Sequence, residues 1–151
     1  MTSNNIQTDE QVLQLINEYW QSIPTVWHVV KAHIQKEATE NFDITVGQFH
    51  TLRRIHQGKD SVSKLAADSH ISRPAISRLV DVLVNKGLVN RTPNPNDRRN
   101  LQLALTEAGQ DLLCALMSNT RQWMAEKLRL LEEDELETAI QALEILNKAF
   151  E

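Results

Sequence analysis

One cysteine, Cys114, is all that this chain of 151 residues offers to thiol chemistry. A lone thiol cannot close an intramolecular disulfide, which excludes a disulfide-stapled scaffold and leads us to expect a reducing, cytoplasmic setting. Glycine and proline are scarce, four of each, which excludes collagen-like and low-complexity linker compositions. No apolar run approaches the roughly 20 residues that a membrane-spanning helix needs. The opening MTSNNIQTDEQ has neither the basic start nor the apolar core of a secretion signal. A soluble protein without a membrane partner is therefore expected. Excess positive charge is also missing: 16 Lys+Arg against 20 Asp+Glu leave a formal net charge of -4, which at face value argues against a polyanionic partner. Catalytic signatures are absent too. No phosphate-binding glycine loop, nucleophile elbow or paired-carboxylate arrangement stands out, so an enzyme is not expected. The five histidines, His28, His33, His50, His56 and His70, form no Cys/His pattern of metal-site spacing, and neither a metal nor a cofactor is expected.

The average charge hides an asymmetry. Residues 45–105 hold 10 Lys/Arg and 4 Asp/Glu, a net of +6, while the remainder holds 6 and 16, a net of -10. Local potential governs steering, so a chain that is acidic overall still carries a basic middle. With 41% hydrophobic residues it is long enough for one domain with a real core and too short for two independent ones.

The basic middle contains the most informative stretch, residues 61–106. Ile76, Leu79, Val80 and Leu83 fall at i, i+3, i+4 and i+7 and form one apolar helical stripe. Ser72 is placed to cap this helix, Pro74 sits in its first turn, and Gly87 is placed to end it. Its water-facing N-terminal end presents Ser72, Arg73, Pro74, Ser77 and Arg78, hydroxyls and guanidiniums around helix-end N–H groups that attract phosphate. That set suits a reader of the DNA major groove; a solvated face with two arginines is the plainer alternative. A shorter helix over about 63–69 precedes it, joined through Ser69-His70-Ile71, and in this glycine-free turn one residue must accept an awkward backbone. After Gly87 the period becomes two, giving a strand over 88–92 and another in which Leu101, Leu103 and Leu105 alternate with polar or small residues. Between them, Pro93 to Arg99 reads as a hairpin tip that stays out of the sheet. Its paired arginines suit a narrow, negative groove, or are simply surface charge.

Elsewhere the pattern is helical. Thr8-Asp9-Glu10-Gln11 reads as a capping box opening a first helix, whose stripe runs through Val12, Ile16, Tyr19, Trp20, Ile23, Trp27, Val30 and Ile34. Pro24 predicts a kink or break near residues 22–24. Thr45 to Gln48 repeats the capping box before a helix that Gly58 ends and that carries Arg53 and Arg54, for which water or a local carboxylate partner ranks ahead of phosphate or a pocket. Thr106 caps a helix with Ala108, Leu112, Leu116, Trp123, Met124, Leu128 and Leu131 as its buried line. Cys114 lies in this helix, where a thiol commonly acts as a small hydrophobe. A last helix carries Leu136, Ala139, Ile140, Leu143, Leu146 and Phe150. Apolar stripes at both chain ends call for partners, either one another or a second copy.

From Ile71 to Gly109 the sequence runs through S-R-P-A-I-S-R-L, K-G-L-V-N-R, N-D-R-R and L-T-E-A-G, and in that combination it closely resembles the winged helix of MarR-type bacterial transcription regulators. The resemblance implies a mainly α fold with a small β-hairpin wing: a winged helix-turn-helix over 45–106 and a helical dimerisation region over 1–42 and 107–151. It implies a homodimer that binds pseudo-palindromic operator DNA, most often as a repressor, and releases it on binding a small effector. On this reading Arg73, Ser77 and Arg78 enter the major groove, Arg99 enters the minor groove, Asp97 holds its guanidinium, and Arg98 braces the wing or touches phosphate. Such proteins commonly hold an amphipathic effector, often an aromatic acid or phenol, between the helical region and the winged helix. Trp20, Trp27, His28, His50 and Arg54 are the candidates here, with core or dimer packing as the alternative for the tryptophans. Thiol-switch relatives carry their cysteine near the N-terminus, where this chain has none. The rival readings are a winged helix that binds protein instead of DNA, and a regulator without a small-molecule effector.

Overall fold

The structure is a computed structural model that describes the backbone of residues 2–94 and 97–151 and the side chains of residues 9–93 and 101–151. Its elements run α1 (Thr2–Phe42), α2 (Val46–His56), α3 (Val62–Ser69), α4 (Arg73–Asn85), β1 (Val89–Asn94), β2 (Asp97–Leu105), α5 (Glu107–Leu128) and α6 (Glu133–Phe150). This is the mainly helical architecture with a two-stranded wing that the periodicity and the family resemblance imply.

Two expectations for the first helix are corrected. It begins at Thr2, so Thr8 lies inside it and opens nothing, and Pro24 does not break it. Proline leaves the carbonyl four residues back without its N–H partner. Here the stretch is exposed, so water can take that carbonyl, and the Thr25 hydroxyl donates to the neighbouring Gln21 carbonyl at 2.8 Å.

Helix caps follow local chemistry where the sequence places them. Thr45 Oγ1 accepts from the Gln48 N–H while Gln48 Oε1 accepts from the Thr45 N–H, which satisfies two helix-end donors. Ser61 accepts from the Lys64 N–H, and Thr106 from the Gly109 N–H at 3.0 Å. The glycine-free turn resolves at His70, which takes the left-handed conformation at φ 54°, ψ 29°. A Cβ there costs energy that glycine avoids. His70→Gly should therefore raise stability by about 0.5–1 kcal/mol once the extra freedom of the unfolded glycine is offset, read as a higher urea midpoint at unchanged m.

The core gathers inside the winged helix. Leu52, Leu65, Ile76, Val80, Leu83 and Val89 are buried together with Leu103 of β2, Ile34 and Ala38 of α1, and Leu113 and Leu116 of α5. Within α5 the buried positions are Gly109, Leu113, Leu116 and Thr120; of the expected line Leu116 is buried, Leu112, Trp123 and Met124 are half-buried, and Ala108 is exposed, as is Cys114. The expected line is apolar, and α1 follows α5 as far as Trp123, whose ring stacks on His33 with centres 4.0 Å apart. Leu128 and Leu131 remain exposed, and α6 buries no residue.

The hairpin corrects the expectation for its tip. The antiparallel pairs run from Val89↔Leu105 to Pro93↔Leu101, then shift register so that Asn94 faces Asp97. Proline has no N–H to give a ladder, but a two-stranded sheet is all edge, and an edge position tolerates it. The wing is anchored at its base, where the Leu103 N–H donates to the Asp60 carbonyl at 2.7 Å and Gln102 Nε2 donates to the Asp60 carboxylate at 3.3 Å.

Candidate nucleic-acid interface

The apolar stripe of α4 determines what the helix shows to solvent. With Ile76, Val80 and Leu83 buried, the opposite face has to carry Arg73, Pro74 and Arg78, which are exposed, and Ser77, which is half-buried. Ser72 stands at the N-cap with extended backbone, but its side chain makes no capping hydrogen bond, contrary to expectation. The second helical residue is Pro74, which has no N–H for a cap to accept. The Ser72 hydroxyl stays available, and the first intrahelical bond runs from the Ile76 N–H to the Ser72 carbonyl at 3.0 Å. The N–H groups of Arg73 and Ala75 thus belong to the open, positive end of the helix dipole.

Ion pairing separates the basic residues into two groups. Arg54 Nε lies 2.8 Å and Lys59 Nζ 3.2 Å from the Asp68 carboxylate, Lys64 lies 2.7 Å from Asp60, Lys86 2.7 Å from Asp43, and Arg91 2.7 Å from Asp81. These contacts hold the carboxyls of Asp68, Asp60 and Asp43 below their ordinary range, chiefly through Arg54, Lys64 and Lys86 respectively. Arg73 and Arg78 make no ion pair among the described residues. Among the described residues of the winged helix, the cations without an ion pair are thus Arg53 on α2 and Arg73 and Arg78, the last two both at the N-terminal half of α4. The Asp81–Arg91 pair also ties β1 to α4, a link between wing and helix that the sequence pattern does not announce because the partners lie on different elements. The side chains of Asp97, Arg98 and Arg99 fall outside the described residues; their backbone belongs to β2.

A second feature lies where α1, α2 and α5 meet: a cavity of about 500 Å³. Trp27, Val30, Ile34, Phe49, Met117 and Met124 supply apolar walls; His50, Arg53, Thr120 and Arg121 supply the polar groups. Of the five residues expected there, the cavity brings together Trp27 and His50. Trp20 lies seven residues from Trp27, about 10 Å along the helix axis, and His28 is turned away from it; both are exposed and neither lines the cavity. Arg54 is held by Asp68 instead, and its neighbour Arg53 takes the cavity position. Arg121, Met117 and Thr120 are lining residues that the sequence reading misses. Their signal is the spacing of 117, 120, 121 and 124, one face of an amphipathic helix. Burial first, and then the cations Arg54, Arg53 and Lys31, hold the His50 pKa below its ordinary value. Among the described residues no cluster of His, Cys, Asp and Glu is arranged to hold a metal, and no helix is long and apolar enough to cross a membrane.

Comparison with known proteins points the same way. Residues 44–101 match the model of the MarR family. The uncharacterized HTH-type transcriptional regulator YhbI of Bacillus subtilis is 40% identical over 75 residues, 49% of this chain and 49% of that protein, so the match spans about half the length of that relative. The HTH-type transcriptional repressor MdtR of Bacillus subtilis is 27% identical over 124 residues, 82% of this chain and 79% of that protein. Among solved structures, a mutant MarR from E. coli superposes with a TM-score of 0.73 at 27% identity, covering 83% of this chain and 93% of the other. A helix-turn-helix with a two-stranded wing, matched over residues 44–101 by the MarR family model and superposed on MarR over most of its length, makes this chain similar to the MarR family of winged helix-turn-helix transcriptional regulators.

Proposed function

We infer that the chain works as a homodimeric, cytoplasmic repressor, with residues 45–106 reading a pseudo-palindromic operator and residues 1–42 and 107–151 joining the two copies. The observation that carries this reading is the exposed Arg73 and Arg78 at the open end of α4, which have no ion pair among the described residues, whereas Arg54, Lys59, Lys64, Lys86 and Arg91 of the same winged helix are each held by a carboxylate. In the complex, Arg73, Ser77 and Arg78 meet base edges or phosphates in the major groove, and Ser72 donates to a phosphate. Arg99 enters the minor groove from the wing, with Asp97 orienting its guanidinium and Arg98 on the backbone. Dimerisation is supported by apolar surface left open in one copy: Trp20 is 69% exposed, Ile140 58% and Phe150 80%, more than an isolated chain usually leaves uncovered. Two-fold symmetry then sets the recognition helices about one helical turn, roughly 34–36 Å, apart. The relative named as a repressor supports repression as the outcome.

A gel-shift titration on the DNA upstream of the protein's own gene, repeated at several salt concentrations, tests this reading. Log affinity should fall linearly with log salt. Binding that ignores salt, or none at all, would favour the rival in which the winged helix contacts protein.

The cavity favours a second element of the same reading, relief of repression by a small amphipathic ligand of aromatic acid or phenol type. Its size fits a drug-sized molecule, and its apolar walls with a few polar groups are what such sites require. It lies between α1 and α5 on one side and α2 of the winged helix on the other, so a ligand there biases the spacing of the two reading heads.

A further inference from the structure

The polar groups of the cavity carry charge of one sign. No carboxylate lines it, whereas Arg53 comes from α2 and Arg121 from α5, and neither arginine makes an ion pair among the described residues. The half-buried imidazole of His50 shares this space, its ring centre 5.3 Å from that of Phe49. The charged groups around it are Lys31 on α1, Arg53 and Arg54 on α2, and Arg121 on α5, all of them cations. Burial, and then Arg54, Arg53 and Lys31, disfavour the imidazolium form in the protein alone.

We propose that the cavity is a proton-linked anion site, in which an aromatic carboxylate places its ring among the apolar walls and its charge between Arg53 and Arg121, while His50 takes up one proton. The inference rests on the cavity being the effector site and adds how that site responds to pH. An entering carboxylate cancels the repulsion that disfavours imidazolium, and the protonated ring gives the anion a third cationic partner. The proton comes from solvent, because the carboxyl group of such a ligand is already ionised well above about pH 4. The linkage has a definite sign. Since binding raises the His50 pKa, affinity grows as pH falls through the value of the complex, and it levels off below the lower value of the free protein.

Calorimetric titration of the full chain with 2-naphthoate at about pH 6.5, in buffers of different ionisation enthalpy, reads the proton directly. The observed enthalpy should vary with the buffer in the sense of proton uptake, and Kd should be about tenfold lower near pH 6 than near pH 8. In His50→Gln, saturable binding should persist while the buffer and pH dependence disappear. An NMR titration of the His50 ring in the native protein, with and without 2-naphthoate, gives the same answer without a variant; its midpoint should move to higher pH with ligand. Saturable binding without proton uptake, or uptake that survives His50→Gln, overturns the linkage and leaves the effector cavity standing. Absence of saturable 2-naphthoate binding across the pH range overturns both.

Discussion

Arg78→Ala should weaken operator binding by about 3 kcal/mol, roughly a hundredfold, without moving the melting temperature. A guanidinium contact to a base edge contributes about 1–3 kcal/mol, and two-fold symmetry removes it twice per dimer. Stability should be unaffected because Arg78 is exposed and has no ion-pair partner among the described residues. If the contact is to phosphate, the slope of log affinity against log salt should also fall by about 2 per dimer; a contact to base edges leaves the slope nearly intact. Arg78→Lys separates charge from shape, since lysine keeps the salt dependence and loses the planar fork. Lys64→Ala is the control. Its ammonium is 2.7 Å from the Asp60 carboxylate, so much of its charge is already answered within the protein, and its loss should cost distinctly less affinity. Equal effects from the two variants would mean that bulk charge, not the geometry of α4, holds the DNA.

Gly109→Ala should destabilise the fold by about 2 kcal/mol, although it places the best helix former in the first turn of α5. A Cβ at this position would lie 2.1 Å from the Leu88 carbonyl oxygen and 3.0 Å from its carbon. Both are backbone atoms, so no side chain can swing aside. The Leu88 carbonyl already accepts from the Thr106 N–H at 3.1 Å, and the Thr106 hydroxyl donates to the Gly87 carbonyl at 2.6 Å. Moving it therefore loosens the cap that starts α5. Overpacking of this kind costs up to about 3 kcal/mol, and the gain in helix propensity returns about 1. The net loss corresponds to a drop in Tm of roughly 4–8 °C. Gly47→Ala makes the comparison, because its Cβ would meet side-chain atoms alone and at ordinary contact distance, Leu79 at 3.7 Å and Thr45 Oγ1 at 3.8 Å, and should be tolerated or slightly stabilising. A Gly109→Ala protein as stable as the parent would show that the strand-to-helix corner has room to shift.

Features governed by neighbours along the chain are legible in the sequence. The capping box at Thr45 and Gln48, the stripe through Ile76, Val80 and Leu83, and the strained turn at His70 each depend on atoms within about one helical turn of one another. Other features need distant chain. Local rules make Pro24 a kink or a break because they count its missing hydrogen bond, whereas the helix runs on without a break, and the exposure that lets water replace the bond depends on what is not packed there. Arg54 has the chemistry of a cavity residue, but Asp68, 14 residues on, takes its guanidinium. Cys114 is flanked by apolar neighbours and is nonetheless exposed, because only one face of α5 has anything against it.

By itself the sequence determined the kind of machine: an amphipathic helix with arginines at its open end, a short hairpin, and a basic middle inside an acidic chain all follow from period, capping and charge. Which arginines remain unanswered by carboxylates, and that an apolar space lined with cations lies among α1, α2 and α5, only the tertiary structure decided. Ion pairs and cavities are made by residues from separate elements, and their meeting depends on how those elements pack, which short-range periodicity does not encode.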